Sequence, residues 1–358
     1  MEKDAEDFLY ELLNTPSPTG FEVKGQRVWA NRCREFADSV ESDAYGNAWA
    51  TIKGSGKGPS VMIEAHADEI GFMVKFVNDD GFLRVDRIGG SDWATARGRR
   101  LTLFGENGEV TGIIGNTAIH IRDRKDGEKA PEVHELFVDI GARSAEEVEE
   151  MGIRVGHPAV YSDSAKPFGK NGIVGRALDN RIGGFIIAEV TRRLSAPYAK
   201  PAATCVALNA VQEEIGGYGA TMASYSLKPD LCLVLDVTHA TDSPDIKHDQ
   251  HGKVTLGGGP SVTHGTANHP VVVKRLMDLA EVHNIPLQHE ASSRFTGTDT
   301  DSIYHQRGGI PSALISLPLR YMHSIVEMAD FGDVEQTINL MTAFVQSITA
   351  EDVFAVEI

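Results

Sequence analysis

Basic side chains are in short supply in this 358-residue chain, where 34 Lys and Arg stand against 51 Asp and Glu for a formal net charge of −17. Phosphate backbones and anionic lipid surfaces are bound by clustered cations, so neither nucleic acid nor a membrane surface is an expected partner. No apolar run approaches the roughly 18 residues that suggest a membrane span. The opening Met1-Glu2-Lys3-Asp4-Ala5-Glu6-Asp7 lacks the basic, then apolar, layout of a signal peptide. Cysteine is scarce as well: Cys33, Cys205 and Cys232 are odd in number and scattered, the last two inside apolar runs. That argues against a disulfide framework and predicts reduced core thiols in a cytoplasmic protein. Internal repeats and low-complexity tracts are absent. Gly257-Gly258-Gly259-Pro260 is followed by no Gly-Lys-Ser/Thr, so a phosphate-binding loop is excluded and a tight loop lining a substrate cleft is expected instead.

What is present is an ordinary globular composition, 41% apolar and 24% charged, enough for a sizeable core. The length suggests two domains, or one domain with a large insertion. Apolar residues at helical spacing (Phe8, Leu9, Leu12, Leu13) predict a helix over Asp4–Leu13, stopped by Asn14-Thr15-Pro16, and a second helix spans about 22–37. Strands are predicted over Asn47–Lys53 and Pro59–Ala65, separated by a turn at 54–58. From about 70 to 165 short alternating strands are joined by turn signals such as Asp80-Gly81 and Asn107-Gly108, the texture of a small β-rich module. Beyond it strands alternate with longer helices: helix 180–195, strand 203–211, helix 217–226, strand 230–236, helix 270–283, strands near 285–290 and 311–317, helix 332–349. Such alternation implies an α/β fold with a largely parallel sheet flanked by helices. The expected division is an α/β domain of residues 1–69 and 166–358, interrupted by a β-rich domain of residues 70–165.

Ligand-type side chains gather where these strands end. Val61–Ala65 runs into His66-Ala67-Asp68, Thr204–Val211 into Gln212-Glu213-Glu214, Leu231–Leu235 into Asp236, and Pro311–Leu317 is followed by His323. Asp179 stands just before helix 180–195. Open α/β sheets bind ligands outside the carboxyl ends of their strands. A His/Asp/Glu set without cysteine suits zinc, cobalt or manganese. Taken singly each residue has a bland explanation. His66 and Asp68 could be a hydrogen-bonded pair, Asp179 a helix cap, Asp236 a turn former and His323 a surface histidine. Glu213 and Glu214 could open a solvated helix. Their joint arrival at one sheet edge is what favours a metal centre.

Five segments carry a resemblance to a known family: Ile63-Glu64-Ala65-His66-Ala67-Asp68-Glu69, Ala177-Leu178-Asp179-Asn180-Arg181, Val211-Gln212-Glu213-Glu214-Ile215-Gly216, Leu235-Asp236-Val237-Thr238 and Arg320-Tyr321-Met322-His323-Ser324. In this order, with Pro18-Thr19-Gly20-Phe21-Glu22 before them, they resemble the motifs of metallopeptidase family 42, the TET-type aminopeptidases. The resemblance implies a zinc-exopeptidase-like α/β domain and an inserted PDZ-like or barrel-like dimerisation domain. It implies two divalent metal ions per subunit, Zn²⁺ first, with Co²⁺ or Mn²⁺ as alternatives. It further implies that Asp179 bridges both ions, that Glu214 and His323 complete one site, and that His66 and Asp236 complete the other. Glu213 would be the general base and Asp68 a partner orienting His66. Short peptides would be the substrates, and the subunits would assemble as dimers up to a tetrahedral dodecamer. Gly297-Thr298-Asp299 also resembles the family's sequence, but Thr300-Asp301-Ser302 departs from the small residues expected next, which leaves the local pocket shape open.

The expected activity is therefore metal-dependent removal of amino-terminal residues from short peptides. Another amide hydrolysis such as deacylation, glycoside hydrolysis, and a non-catalytic peptide-binding shell are the alternatives. Adjacent Glu213 and Glu214 are poorly placed to flank a glycosidic bond with the separation of about 5–9.5 Å that such chemistry uses. The preferred terminal residue is not readable, and neutral or broad selection is the default expectation. The seven histidines between 239 and 289 are irregularly spaced and are assigned to loops and surface.

Overall fold

The computed structural model describes residues 2–56, 58–121 and 130–358. Lys57 of the predicted 54–58 turn and residues 122–129 of the predicted insertion lie outside the described residues. Helices α1 (Lys3–Asn14) and α2 (Val23–Cys33) lead into β1 (Ser39–Ser42), β2 (Ala48–Ile52) and β3 (Ser60–His66). The chain then departs through β4 (Gly71–Val77), β5 (Leu83–Ile88), β6 (Arg100–Gly105), β7 (Gly108–Ile114), β8 (Phe137–Asp139), α3 (Ala145–Glu150) and β9 (Pro158–Tyr161). It returns by β10 (Lys166–Phe168) and β11 (Gly172–Gly175) to α4 (Leu178–Ser195), β12 (Thr204–Ala210), α5 (Tyr218–Leu227) and β13 (Leu231–His239). Then follow α6 (His248–His251), β14 (Ser261–His264), α7 (Pro270–Val282), β15 (Gln288–Ala291), α8 (Asp299–Ile303), β16 (Ser312–Leu319), β17 (Glu327–Asp330) and α9 (Phe331–Ser347).

Eight strands form one mixed sheet in the order β1-β2-β12-β3-β13-β16-β14-β15. Its centre, β12-β3-β13-β16, is parallel throughout. These four strands are near-continuous apolar runs because helices cover both faces, and every residue of β16 is buried. One face packs on α1, α2, α4, α7 and α9 through side chains such as Leu9, Trp29, Phe185, Leu276 and Phe344. The other packs on α5 and α8 through Met62, Leu208, Ala223, Cys232 and Ile303. The three cysteines are buried and unpaired.

Strands β4 to β9 close into a separate barrel in the order β4-β5-β8-β7-β6-β9, filled by Phe72, Val85, Leu101, Leu103, Ile114 and Val138. The long predicted elements are all present. Several short strands had no expectation attached to them, among them β1, β10, β14 and β17. Each has only three or four residues, and their pairing partners are supplied by distant segments, as when β11 pairs with β17.

Two details of register open the sheet where the ligand-type residues lie. β3 pairs with β12 as far as His66↔Ala210, yet with β13 only as far as Glu64↔Val234. β13 meanwhile continues along β16 to His239↔Leu319. Asp236 therefore sits inside β13 rather than at its end, on a stretch that β3 has already left. Arg181 of α4 secures the other side. It is buried, donates to the carbonyls of Leu12 (2.7 Å) and Thr15 (3.0 Å), and so ties the end of α1 to the helix that carries Asp179. Arg181→Met should strand these buried acceptors and cost about 3 kcal/mol, read as a lower midpoint in urea unfolding at unchanged slope.

Candidate metal centre

The structure brings together His66, Asp179, Glu213, Glu214, Asp236 and His323, delivered by β3, the start of α4, the turn after β12, β13 and the turn after β16. Three groups of ligand atoms lie within 4.8 Å of one another: His66, Asp179 and Asp236; His66, Glu213 and Glu214; Asp179, Glu214 and His323. Asp179 is the centre of this arrangement. Its Oδ1 lies 3.1 Å from His66 Nε2, and its Oδ2 lies 3.2 Å from His323 Nε2. Each carboxylate oxygen thus faces a different histidine. His323 Nε2 is also 3.6 Å from Glu214 Oε2, and His66 Nε2 is 3.8 Å from both Glu213 Oε2 and Asp236 Oδ1.

Both imidazoles are oriented by backbone. His66 Nδ1 lies 3.2 Å from the Asp68 carbonyl oxygen, and His323 Nδ1 lies 3.1 Å from that of Gly90. A carbonyl only accepts, so each Nδ1 donates to backbone and each Nε2 is turned to the cluster, where a proton shared with Asp179 or a cation can occupy it. Gly90 comes from the barrel, and a side chain there would collide with the His323 ring.

The Asp68 carboxylate has a wider task than steering His66. It lies 3.5 Å from His66 Nδ1 but accepts from the Glu213 amide at 3.0 Å, the Glu214 amide at 3.2 Å and the Thr19 hydroxyl at 2.9 Å. It holds the backbone of both glutamates. The turn beyond them passes through Gly217 (φ +67°), where a Cβ would strike Ser302.

Glu327 was not signalled by the sequence. It is buried, accepts from the Asp179 amide at 3.1 Å and from the His323 amide at 2.8 Å, and so locks two ligand-type residues from separate elements. It sits four residues after His323, but nothing in that spacing distinguishes it from a surface glutamate. Buried Glu64 and Asp299, facing each other beneath Glu213, were likewise missed as a pair. Asp179 does not cap a helix with its side chain. Its backbone and that of Asn180 are non-helical within α4, and Asn180 Nδ2 donates to the Leu235 carbonyl at 2.7 Å. The glycine loop 257–260 does not line the cleft. The amides of Gly257 and Gly259 donate to Asp333 at the start of α9, both at 2.7 Å.

The electrostatics are those of crowded buried anions. Burial raises Glu213 and Glu214 well above the usual carboxylate range and Asp236 to about 7, and neighbouring carboxylates add to it. Burial opposes ionisation of Asp179 too, but hydrogen bonds from His323 and His66 outweigh it and hold its pKa below the usual value. His323 is raised to about 9, chiefly by Asp179. For His66, burial favours the neutral ring, yet Asp179, Asp68, Glu213 and Asp236 together lift it well above an ordinary imidazole. Glu214 Oε1 is buried without a hydrogen-bond partner among the described residues. Hard oxygen and imidazole donors, close together and short of positive charge, fit divalent cations. The cluster opens on a cavity of about 760 Å³ lined by Asp179, Glu213, Glu214, Asp236 and His323. Glu213 is the more exposed of the adjacent pair, its side chain 14% accessible against 4% for Glu214.

The comparisons with known proteins agree along the whole chain. The model of the M42 glutamyl aminopeptidase family matches residues 46–340. A lysyl aminopeptidase of Pyrococcus furiosus is 35% identical over 97% of this chain and 98% of its own. An aminopeptidase from the archaeon Desulfurococcus kamchatkensis superposes with a TM-score of 0.90 at 34% identity, covering 97% of this chain and 96% of that one. A TET aminopeptidase from a marine sediment archaeon of the Thaumarchaeota gives 0.91 at 30% identity over 96% of both chains.

Protons and cations compete for the same lone pairs here. The raised values of His323, about 9, and Asp236, about 7, mean that these groups hold protons as pH falls through that window. Metal affinity should be highest above pH 9, fall by roughly tenfold per pH unit below it as His323 takes its proton, and fall more steeply below pH 7, where Asp236 is protonated as well. Calorimetric titration of the metal-free protein in buffers of different ionisation enthalpy measures the protons released.

Proposed function

The chain belongs to the M42 glutamyl aminopeptidase family, and from that premise we propose how its residues carry out metal-dependent aminopeptidase chemistry. The observation that carries the proposal is Asp179, one carboxylate whose two oxygens face two histidines from opposite sides of the cleft. We assign His66 and Asp236 to one divalent ion, Glu214 and His323 to the other, and Asp179 to both. Zn²⁺ is the proposed native ion, with Co²⁺ or Mn²⁺ as alternatives, because the donors are nitrogen and oxygen with no thiolate. When bound, such a pair polarises a scissile carbonyl and acidifies the attacking water.

Glu213 is the proposed general base. It takes the water proton and gives it to the departing amine nitrogen, so one carboxyl serves both steps. Its side chain is the more accessible of the two glutamates, which faces it to the cleft. Asp68 is proposed to hold Glu213 and Glu214 in register through their amides, besides meeting His66. A free α-amino group is a cation, and the anionic rim of this cavity is electrostatically suited to it.

Short peptides are the proposed substrates. Family relatives carry different side-chain preferences in their names, glutamyl and lysyl among them, so the preference of this chain rests on its own pocket. We take residues 70–165 as the dimerisation domain inserted in a catalytic domain of residues 1–69 and 166–358. The subunit is proposed to form dimers that build up to a tetrahedral dodecamer. Cytoplasmic residence is supported by three buried, unpaired cysteines. Among the described residues no helix is long and apolar enough to cross a membrane.

Exhaustive chelation should abolish hydrolysis of aminoacyl-anilides, and Zn²⁺ or Co²⁺ should restore it. Activity that survives chelation contradicts the metal assignment. Glu213→Gln should lower kcat by about 10²–10⁴ while retaining two ions per subunit by elemental analysis. Multi-angle light scattering should give a mass of at least two subunits; a monomer sinks the proposed role of the barrel.

A further inference from the structure

A second cavity, of about 400 Å³, adjoins the metal cleft and shares Val237, Thr238, Thr296 and Thr298 with it. Its lining is drawn from β13, β16, β14 and β15, the last four strands in the sheet order. Glu290 stands on edge strand β15 opposite Thr263 of β14, and both line the cavity. The Glu290 carboxylate is held from the cleft side, where Thr238 Oγ1 donates to its Oε1 at 2.6 Å. Its other oxygen, Oε2, is buried and has no hydrogen-bond partner among the described residues.

A carboxylate oxygen kept from water without a donor is costly, and a ligand that supplies one recovers the difference. The terminal torsion of a glutamate is soft, so a modest rotation presents either oxygen to the cavity. The remaining wall includes Val237, Leu314 and Phe295, apolar surface suited to a hydrocarbon stem. An apolar stem that ends in a cationic donor is the description of lysine and arginine.

Position relative to the reacting centre agrees. Asp236 and Thr238 are two residues apart on β13, so they face the same side, about 7 Å apart along the strand. A substrate whose first residue is held at the Asp236 side of the cluster can therefore extend its side chain past Thr238 to Glu290. The one other charged residue of this wall is Arg294. It is exposed, with its guanidinium over the Phe295 ring at 5.4 Å, and makes no ion pair with Glu290 among the described residues. An acidic side chain entering the cavity would meet the Glu290 charge.

We infer that this cavity receives the side chain of the substrate's amino-terminal residue and that Glu290 makes the enzyme select lysine and arginine there. The inference rests on the aminopeptidase reading and goes beyond it in naming the substrate class.

The test uses metal-loaded full-length protein with lysyl-, arginyl-, leucyl- and glutamyl-anilides. Lysyl and arginyl substrates should exceed leucyl in kcat/KM by roughly tenfold or more, and Glu290→Gln should shrink that ratio by a similar factor. Because a variant can fail to fold, the unaltered protein is also assayed with free L-lysine and L-norleucine as inhibitors, which share a stem and differ in the terminal ammonium. Lysine should inhibit at the lower concentration. Leucyl or glutamyl turnover equal to lysyl turnover overturns the inference and leaves the aminopeptidase reading in place. So does a ratio unchanged in a folded Glu290→Gln protein, or equal inhibition by the two amino acids. Failure to cleave any aminoacyl substrate overturns the aminopeptidase reading itself.

Discussion

Mutual repulsion among buried carboxylates is the constraint around which this molecule is organised. Asp68, Asp179, Glu213, Glu214, Asp236 and Glu327 converge on one edge of the sheet, most of them buried, with His66 and His323 as the nearby cationic groups. In low dielectric such a set cannot all remain charged without compensation, and the raised values of Glu213, Glu214 and Asp236 record that cost. Divalent cations relieve it, because each one attracts several carboxylates at once. Within the chain, only Asp179 among the raised or lowered carboxylates of this cluster gains enough from the two histidines to stay below the usual carboxylate range. Rigid backbone holds the anions in place.

That backbone acts through hydrogen bonds that the amides of ligand-type residues donate to buried carboxylates. Asp68 accepts from Glu213 and Glu214, and Glu327 accepts from Asp179 and His323. Each such carboxylate trades hydration for two N–H donors and in return fixes two ligand-type residues relative to each other. Carbonyl oxygens do the complementary job for the imidazoles, engaging Nδ1 so that Nε2 points at the cluster. One of those carbonyls belongs to Gly90 in the barrel. The barrel therefore reaches the ligand-type residues through the loop after β5, where Gly89 abuts Glu214 and Gly90 meets His323.

Much of this was readable in the residues alone. β3, β12, β13 and β16 are legible because strands buried on both faces are continuous apolar runs, and α1 is legible because its apolar stripe has helical spacing. His66, Glu213, Glu214 and His323 are legible because they follow such runs, where an open α/β sheet exposes its binding edge. Glu327 was not, since a glutamate in the four-residue strand β17 reads as surface until β11 is seen to pair with it. Glycines 257–259 were misread because their partner, Asp333, lies more than seventy residues away. The apolar run before Asp236 suggests a strand end there, whereas its access to the cleft comes from β3 ending its pairing early.

The sequence by itself determined which side chains are available for chemistry and in what order the sheet presents them. It did so because side-chain type and hydrophobic period are local properties of the chain. It also determined that two adjacent glutamates follow one strand. Tertiary structure alone decided how those two differ: Glu214 is packed beside Asp179 and His323, while Glu213 keeps access to the cleft. Only the fold set two oxygens of Asp179 against two histidines, and only the fold seated Glu290 beside Thr238. Those are distances between segments far apart in the chain, and no local pattern encodes them until packing brings the segments together.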